Sequence, residues 1–182
     1  AVVVVTPGDD PISAFDDALL EVSVGREADL DLVERCRSIA ARIPLQIVFD
    51  QFEECWTLAT EQERDQLLLT LVDLAEAEPT DLRIVLTIPA DSFDLPLQHP
   101  ALGHLISAGC SILTPMSPAE LDEAIVLPAA RAGVTFDEAV VTTLIDATAA
   151  QPGSLPMLQF TLRELYDRRV DARIGRTQLE AV

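Results

Sequence analysis

The fold of this chain is decided by a short apolar run that ends in acidic residues, Leu45-Gln46-Ile47-Val48-Phe49-Asp50-Gln51-Phe52-Glu53-Glu54. Pro44 bounds the run on one side and carboxylates bound it on the other, which is typical of a fully buried strand in a parallel sheet. Asp50 would then stand at the carboxyl end of the strand. Because ligands of open α/β sheets bind in the crevice outside those ends, the stretch predicts an α/β fold with Asp50 beside a binding crevice.

The carboxylates of Asp50, Glu53 and Glu54 repel one another unless a cation, a proton or exposure to solvent relieves them. One interpretation is a site for a Mg²⁺-bound nucleotide. Asp50 would hold the water shell of the metal, and Glu53 or Glu54 would orient or deprotonate the attacking water. The other interpretation is a buried strand that runs into a solvated helix start, where carboxylates favour the helix dipole. This stretch alone leaves both interpretations open.

The charge of the chain limits its partners. It has 31 acidic and 12 basic residues in 182, a net charge of −19, and a surface this negative repels nucleic-acid backbones. All the basic residues are arginines. A phosphate-binding loop of the G-x-x-x-x-G-K-[ST] type requires a lysine, so this chain cannot contain one. Direct binding of nucleic acid is therefore not expected, whereas a nucleotide remains compatible with the charge if Mg²⁺ and local donors neutralise its phosphates.

The cysteines and the apolar runs indicate the compartment. Cys36, Cys55 and Cys110 lie far apart and show no metal-ligand spacing, so we interpret them as small core residues of a protein in a reducing compartment. No apolar run approaches the length needed to span a membrane, and no signal peptide is visible. We therefore expect a cytoplasmic location and no membrane contact.

The order of predicted elements divides the chain in two. Short apolar strands are predicted at 1–5, 45–49, 82–88 and 110–114, with amphipathic helices between them. This alternation predicts right-handed crossovers and a parallel sheet over residues 1–116. From 117 to 182 the pattern predicts helices alone, beginning with a capping box at Ser117 and Glu120.

Five stretches resemble, in their order along the chain, the STAND-class P-loop NTPases, which are signalling ATPases related to the NACHT and AP-ATPase groups. The resemblance is greatest to a bacterial branch with additional domains in the same polypeptide. Residues 47–54 resemble the Walker B segment of that family. The others resemble the turn after its second strand, its sensor strand, the start of its helical subdomain and its G-x-P signature: residues 6–11, 86–91, 115–121 and 153–156. Together they cover nearly the whole chain.

The resemblance implies a switch driven by ATP and Mg²⁺. Asp50 would be the metal residue, Glu53 and Glu54 the catalytic candidates, and Thr87 and Pro156 the nucleotide contacts. The helices of 117–182 would form a lid. Nucleotide state would control effector or sensor domains of the same polypeptide. Hydrolysis would be slow and regulatory, and activation would lead to homo-oligomerisation. Thr87 as a simple β-forming residue and Pro156 as a simple first-turn proline are equally compatible with the sequence.

Two departures from the family pattern favour an alternative. Pro89 stands where that branch carries an arginine, and proline has no backbone N–H to donate. The phosphate loop is missing as well, and its strand would lie between 82–88 and 110–114. The chain begins within an apolar run and looks like an excerpt. Either the loop lies upstream of Ala1 in the full polypeptide, or the chain is a degenerate relative. Residues 177–182 look like the start of a winged helix that does not follow.

The excerpt alone is expected neither to bind ATP tightly nor to hydrolyse it. The alternative function is that of a nucleotide-dead interaction scaffold derived from the same fold. A different Mg²⁺-dependent phosphotransfer enzyme on a doubly wound sheet is a third, based on fold analogy alone.

Overall fold

The computed structural model describes residues 1–76, 81–149 and 153–181. The chain forms two compact units, Ala1–Ser111 and Ile112–Val182. The first holds a parallel sheet with flanking helices, and the second is mainly helical. The predicted α/β class is confirmed. The assignment of 1–116 as an NTPase-like core and of 117–182 as a lid stays a prediction.

The first unit alternates strands and helices in the predicted way. Its strands are β1 (Val2–Val5), β2 (Leu45–Phe49) and β3 (Leu82–Leu86). Its helices are α1 (Pro11–Leu20), α2 (Leu32–Arg42), α3 (Glu54–Thr57), α4 (Glu61–Ala75), α5 (Asp94–Leu97) and α6 (Pro100–Gly109), with 3-10 helices at Gly25–Asp29 and Ala90–Ser92. Local signals fix several helix starts: Asp10 Oδ1 accepts from the Ser13 N–H at 3.0 Å before α1, and Thr60 with Glu63 forms the capping box of α4.

Strand β2 lies at the centre of the sheet, which has the order β1-β2-β3 and is parallel throughout. Val5 is in register with Phe49, and Phe49 is in register with Leu86. The three strands therefore end at one common edge. The residues that follow them, including Asp50 and Thr87, share that edge.

One face of the sheet forms the core of the first unit. Val3, Val5, Ile47 and Phe49 are at most 3% exposed and pack against the helices. The connections β1 to β2 and β2 to β3 both advance in the same direction across the sheet, and right-handed crossovers then place their helices on one face. On the other face Val4 is 61% exposed.

The predicted fourth strand at 110–114 is wrong. In the part of the chain that the structure describes, residues 110–116 belong to no strand, and Ile112 and Leu113 are 85% and 95% exposed. The β-branched pattern is present, but a strand is stable only beside a neighbour that takes up its backbone N–H and C=O groups. Among the described residues, no strand lies beside this segment to supply such a neighbour.

The prediction that residues 117–182 form helices alone is wrong, because the second unit also contains two short strands. Its helices are α7 (Pro118–Arg131), α8 (Glu138–Ala149), α9 (Leu155–Asp167) and α10 (Arg176–Leu179). Two short strands, β4 (Thr135–Phe136) and β5 (Arg173–Ile174), pair in parallel. A two-residue strand is too short for its periodicity to appear in a sequence. The pairing brings Arg173 Nε within 2.6 Å of Asp137 Oδ1 and buries Ile174 in the core of this unit.

Among the described residues, no helix combines the length and the apolar character required to cross a lipid bilayer.

The thiols provide a test of the packing of the first unit. Cys36 and Cys55 are buried and Cys110 is exposed, and burial raises the pKa of Cys36 and of Cys55 to about 12. Because the thiolate is the nucleophile, we expect Cys110 to react with a disulfide reagent at pH 8 at least about 100-fold faster than the other two. A Cys110→Ser control should lack the fast phase, and all three thiols should react in denaturant. Equal rates for two or three native thiols would contradict this packing.

Candidate functional site

Asp50 lies immediately after the central strand. Its backbone N–H donates to the Val5 carbonyl at 2.8 Å, which continues the β1–β2 ladder by one residue. The Asp50 side chain is exposed at the common carboxyl edge of the sheet. This is the edge at which open α/β sheets bind ligands. The structure thus puts Asp50 at the strand end that the sequence predicted, on a parallel and central strand.

Thr87 joins Asp50 at this edge. The Thr87 hydroxyl donates to Asp50 Oδ1 at 2.6 Å and accepts from the Gln51 N–H at 3.1 Å. The Thr87 backbone N–H donates to the Phe49 carbonyl at 2.9 Å, and its carbonyl accepts from the Phe52 N–H at 3.0 Å. The end of β3 therefore holds the turn that follows β2.

This turn has an unusual backbone. Gln51 adopts a φ of +57°, in the left-handed region that residues other than glycine rarely visit. The following residue, Phe52, is fully buried and anchors the turn to the core. A left-handed residue persists where its surroundings hold it in place, and such residues are frequent at functional sites.

The two glutamates have different surroundings. Glu53 Oε2 is buried and has no hydrogen-bond partner among the described residues. Glu54 Oε2 accepts from the Gly8 N–H at 3.1 Å and so joins this turn to the one after β1. Gly8 has a φ of +61°, a conformation that favours glycine. The Glu54 carboxylate is thus already engaged with the backbone, whereas one Glu53 oxygen is still without a partner.

The carboxylates do not by themselves form a metal cage. Within the described ranges, no three His, Cys, Asp or Glu side chains are grouped closely enough to hold a metal ion together. Mg²⁺ differs from most metals here, because it retains several of its waters and often takes only one or two protein carboxylates beside the phosphates of a nucleotide. The unpartnered Glu53 oxygen close to Asp50 in sequence is compatible with such an ion or its water shell.

Two further residues from the sequence analysis, Pro89 and Pro156, have no contact with Asp50 among those described above. Pro89 has a φ of −60° and precedes the 3-10 helix at Ala90–Ser92. It supplies no donor where the family pattern has an arginine. Pro156 lies in the first turn of α9, in the second unit, where a proline suits the helix geometry without any ligand.

Sequence reasoning missed three features of the site, one backbone conformation and two hydrogen bonds. It did not predict the left-handed Gln51, the bond from Gly8 to Glu54, or the direct bond from Thr87 to Asp50. The left-handed backbone of Gln51 could not be predicted from its residue type, since glutamine has no preference for the left-handed region. Glycine after Pro7 was a signal for the second, because it marks a turn with a positive φ at the same sheet edge.

The model of the family described as "Novel STAND NTPase 1" matches residues 1–182. No curated protein matches the chain. Among solved structures, a mutant of RuvB from Thermotoga maritima aligns with 13% identity and a TM-score of 0.49, over 99% of this chain and 59% of that one. The chain thus spans 59% of the length of this solved structure. Because the family model covers every residue, this chain belongs to the novel STAND NTPase 1 family.

Proposed function

We propose that this chain is part of a nucleotide-dependent switch and binds the Mg²⁺ ion of an ATP molecule at the common edge of β2 and β3. The observation that carries the proposal is the position of Asp50, an exposed carboxylate at the carboxyl end of the central parallel strand. Membership of a STAND NTPase family supports a nucleotide as the ligand. The phosphate-binding loop would come from the same polypeptide, upstream of Ala1.

The residues would have distinct roles. Asp50 would hold the water shell of the metal, and Glu53, with its unpartnered buried oxygen, would orient or deprotonate a water. When bound, Mg²⁺ would neutralise phosphate charge. Glu54 remains a catalytic candidate, but its bond to Gly8 favours a part in holding the turn. Pro156 remains a candidate nucleotide contact, and Thr87 takes part in the site at least through its bond to Asp50.

The proposal extends to the whole polypeptide. Two arrangements of the NTPase core and the helical lid, selected by the bound nucleotide, would control an effector or sensor domain. Self-association on activation, a bacterial signalling role and a cytoplasmic location belong to this proposal. The net charge of −19 repels the phosphates of nucleic acid, so we expect no direct binding of nucleic acid by this chain.

A nucleotide-dead interaction scaffold is the second candidate, and Pro89 favours it. Proline cannot donate a hydrogen bond to a terminal phosphate, so sensing of that phosphate by residue 89 is excluded. Such a scaffold would keep the fold and lose ATP. The two candidates therefore differ in one measurable property, the binding of a nucleotide.

The test is binding of labelled ATP to the full-length polypeptide with and without Mg²⁺. We expect Mg²⁺-dependent binding, and we expect Asp50→Ala to weaken it by about 10- to 100-fold because one oxygen ligand of the metal shell is lost. The matched control is Asp65→Ala, which removes an exposed carboxylate from α4. Equal affinity in wild type and Asp50→Ala would contradict the metal role, and absence of ATP binding would favour the scaffold. ATP turnover by the 182-residue chain alone would contradict its expected inactivity.

A further inference from the structure

Thr87 is engaged at every polar group that it has. Its backbone N–H and carbonyl bond to Phe49 and Phe52, and its hydroxyl donates to Asp50 Oδ1 at 2.6 Å while accepting from the Gln51 N–H at 3.1 Å. A threonine hydroxyl carries one proton. That proton is already given to Asp50.

This engagement limits what Thr87 offers to a nucleotide. A phosphate oxygen at neutral pH is essentially an acceptor, so a side chain that binds it directly must supply a proton. Thr87 would have to release Asp50 in order to do so. The bond that it would give up is short and charge-assisted, which is the stronger class of hydrogen bond.

The same hydroxyl also holds the turn that presents the acidic residues. Gln51, with its φ of +57°, lies between Asp50 and Phe52, and its N–H is bound by Thr87 Oγ1. Removal of the hydroxyl would free one Asp50 oxygen and one backbone N–H at the same time. Asp50 would then gain rotamer freedom that metal binding has to remove again.

We infer that Thr87 is a positioning residue, which orients the Asp50 carboxylate and the Gln51 turn for the metal, and that it does not contact phosphate itself. The inference rests on the proposed function, since it assigns Thr87 a part in that site. It replaces the simpler expectation of a nucleotide contact with an indirect role through Asp50.

The decisive variants are Thr87→Val, which keeps the branched shape and removes the hydroxyl, and Thr87→Ser, which restores the hydroxyl. In the full-length protein we expect Thr87→Val to reduce the affinity for Mg²⁺ in the presence of ATP by about tenfold. Affinity for ATP without Mg²⁺ should change by less than about twofold. Thr87→Ser should recover most of the loss, and Thr142→Val, on the exposed face of α8, serves as the control for a lost threonine hydroxyl.

A double-mutant comparison separates positioning from direct contact. In an Asp50→Ala background, Thr87→Val should cause a much smaller loss than in wild type, because the carboxylate that it positions is gone and only its bond to the Gln51 N–H remains. A loss as large as in wild type, or an equal loss of metal-free ATP affinity, would overturn the inference in favour of a phosphate contact.

A readout that needs no ligand tests the inference even if nucleotide binding fails. Hydrogen exchange of the Gln51 amide should be at least about tenfold faster in Thr87→Val than in wild type or Thr87→Ser, because its acceptor is lost. Unchanged exchange would overturn the positioning role. Failure of the proposed function would instead appear as absence of Mg²⁺-dependent ATP binding in wild type.

Discussion

Replacement of Phe52 by alanine is expected to lower the free energy of unfolding by about 3–5 kcal/mol, because it leaves a cavity in a closely packed core. Phe52 is 0% exposed. Its ring makes edge-to-face contacts with Phe49 at 5.9 Å and with Trp56 at 5.6 Å between centroids. Phe15 extends the row on the other side of Phe49, at 5.1 Å. The loss would thus affect a continuous aromatic cluster beneath the Asp50 turn.

Urea denaturation of the chain measures this loss. The matched control is Phe160→Ala, since Phe160 is 57% exposed in the second unit and its truncation should change the free energy of unfolding by about 0.5 kcal/mol or less. Similar losses in the two variants would contradict the packing of Phe52. Phe52→Leu should recover part of the stability, because it restores most of the buried apolar volume.

The aromatic row also includes Trp56, which is partly buried. Its ring contacts Phe52 edge to face, with the two planes at 78°, and packs against the core cluster of the first unit. The acidic segment therefore contains core residues as well as carboxylates. Phe52 and Cys55 point into the core, and between them Glu53 and Glu54 are only partly buried.

Local sequence signals were sufficient to predict most of the strands and helices of the first unit. Alternating strands and helices predicted that the run from Leu45 to Phe49 forms a strand of a parallel sheet, and it does. The prediction that this strand is fully buried is wrong, because its residues alternate between fully and partly buried and only one face of the sheet carries the core. Helix α4 begins with a capping box of Thr60 and Glu63, a motif that depends only on residues three apart. These features need no information from distant parts of the chain.

The contacts that build the candidate site could not be obtained in this way. The Thr87–Asp50 and Gly8–Glu54 bonds join residues 37 and 46 positions apart, and they depend on register and on side-chain rotamers. The predicted strand at 110–114 failed for a related reason. Its sequence favours an extended backbone, but only a neighbouring strand makes such a segment part of a sheet.

A second long-range network, centred on Arg35, stabilises the connection from α1 to α2. Arg35 is 4% exposed and donates to the carbonyls of Glu27, Ala28 and Leu30 at 2.8–3.0 Å. It also donates to Asp16 Oδ1 at 2.6 Å. One guanidinium thus supplies hydrogen bonds to three backbone carbonyls in the bend of the chain that contains the 3-10 helix Gly25–Asp29.

Glu27 extends this network on the other side of the bend. Hydrogen bonds from Arg42 and from the Val24 N–H lower the pKa of Glu27. The Glu27 carbonyl, by contrast, accepts from Arg35. Arg35 and Arg42 therefore hold the same residue through its backbone and its side chain, respectively.

Arg35→Ala is expected to reduce the free energy of unfolding by about 3–5 kcal/mol, because it removes a buried cation and leaves several acceptors without their donor. Arg37→Ala, two residues along α2 on its exposed face, should change it by about 0.5 kcal/mol or less. Asp16→Ala separates the two contributions, since its side chain is 39% exposed and water can replace it. A loss of about 1 kcal/mol in Asp16→Ala would assign most of the effect to the three carbonyls, whereas equal losses in Asp16→Ala and Arg35→Ala would assign it to the ion pair. Arg35→Ala with the stability of Arg37→Ala would contradict the network itself.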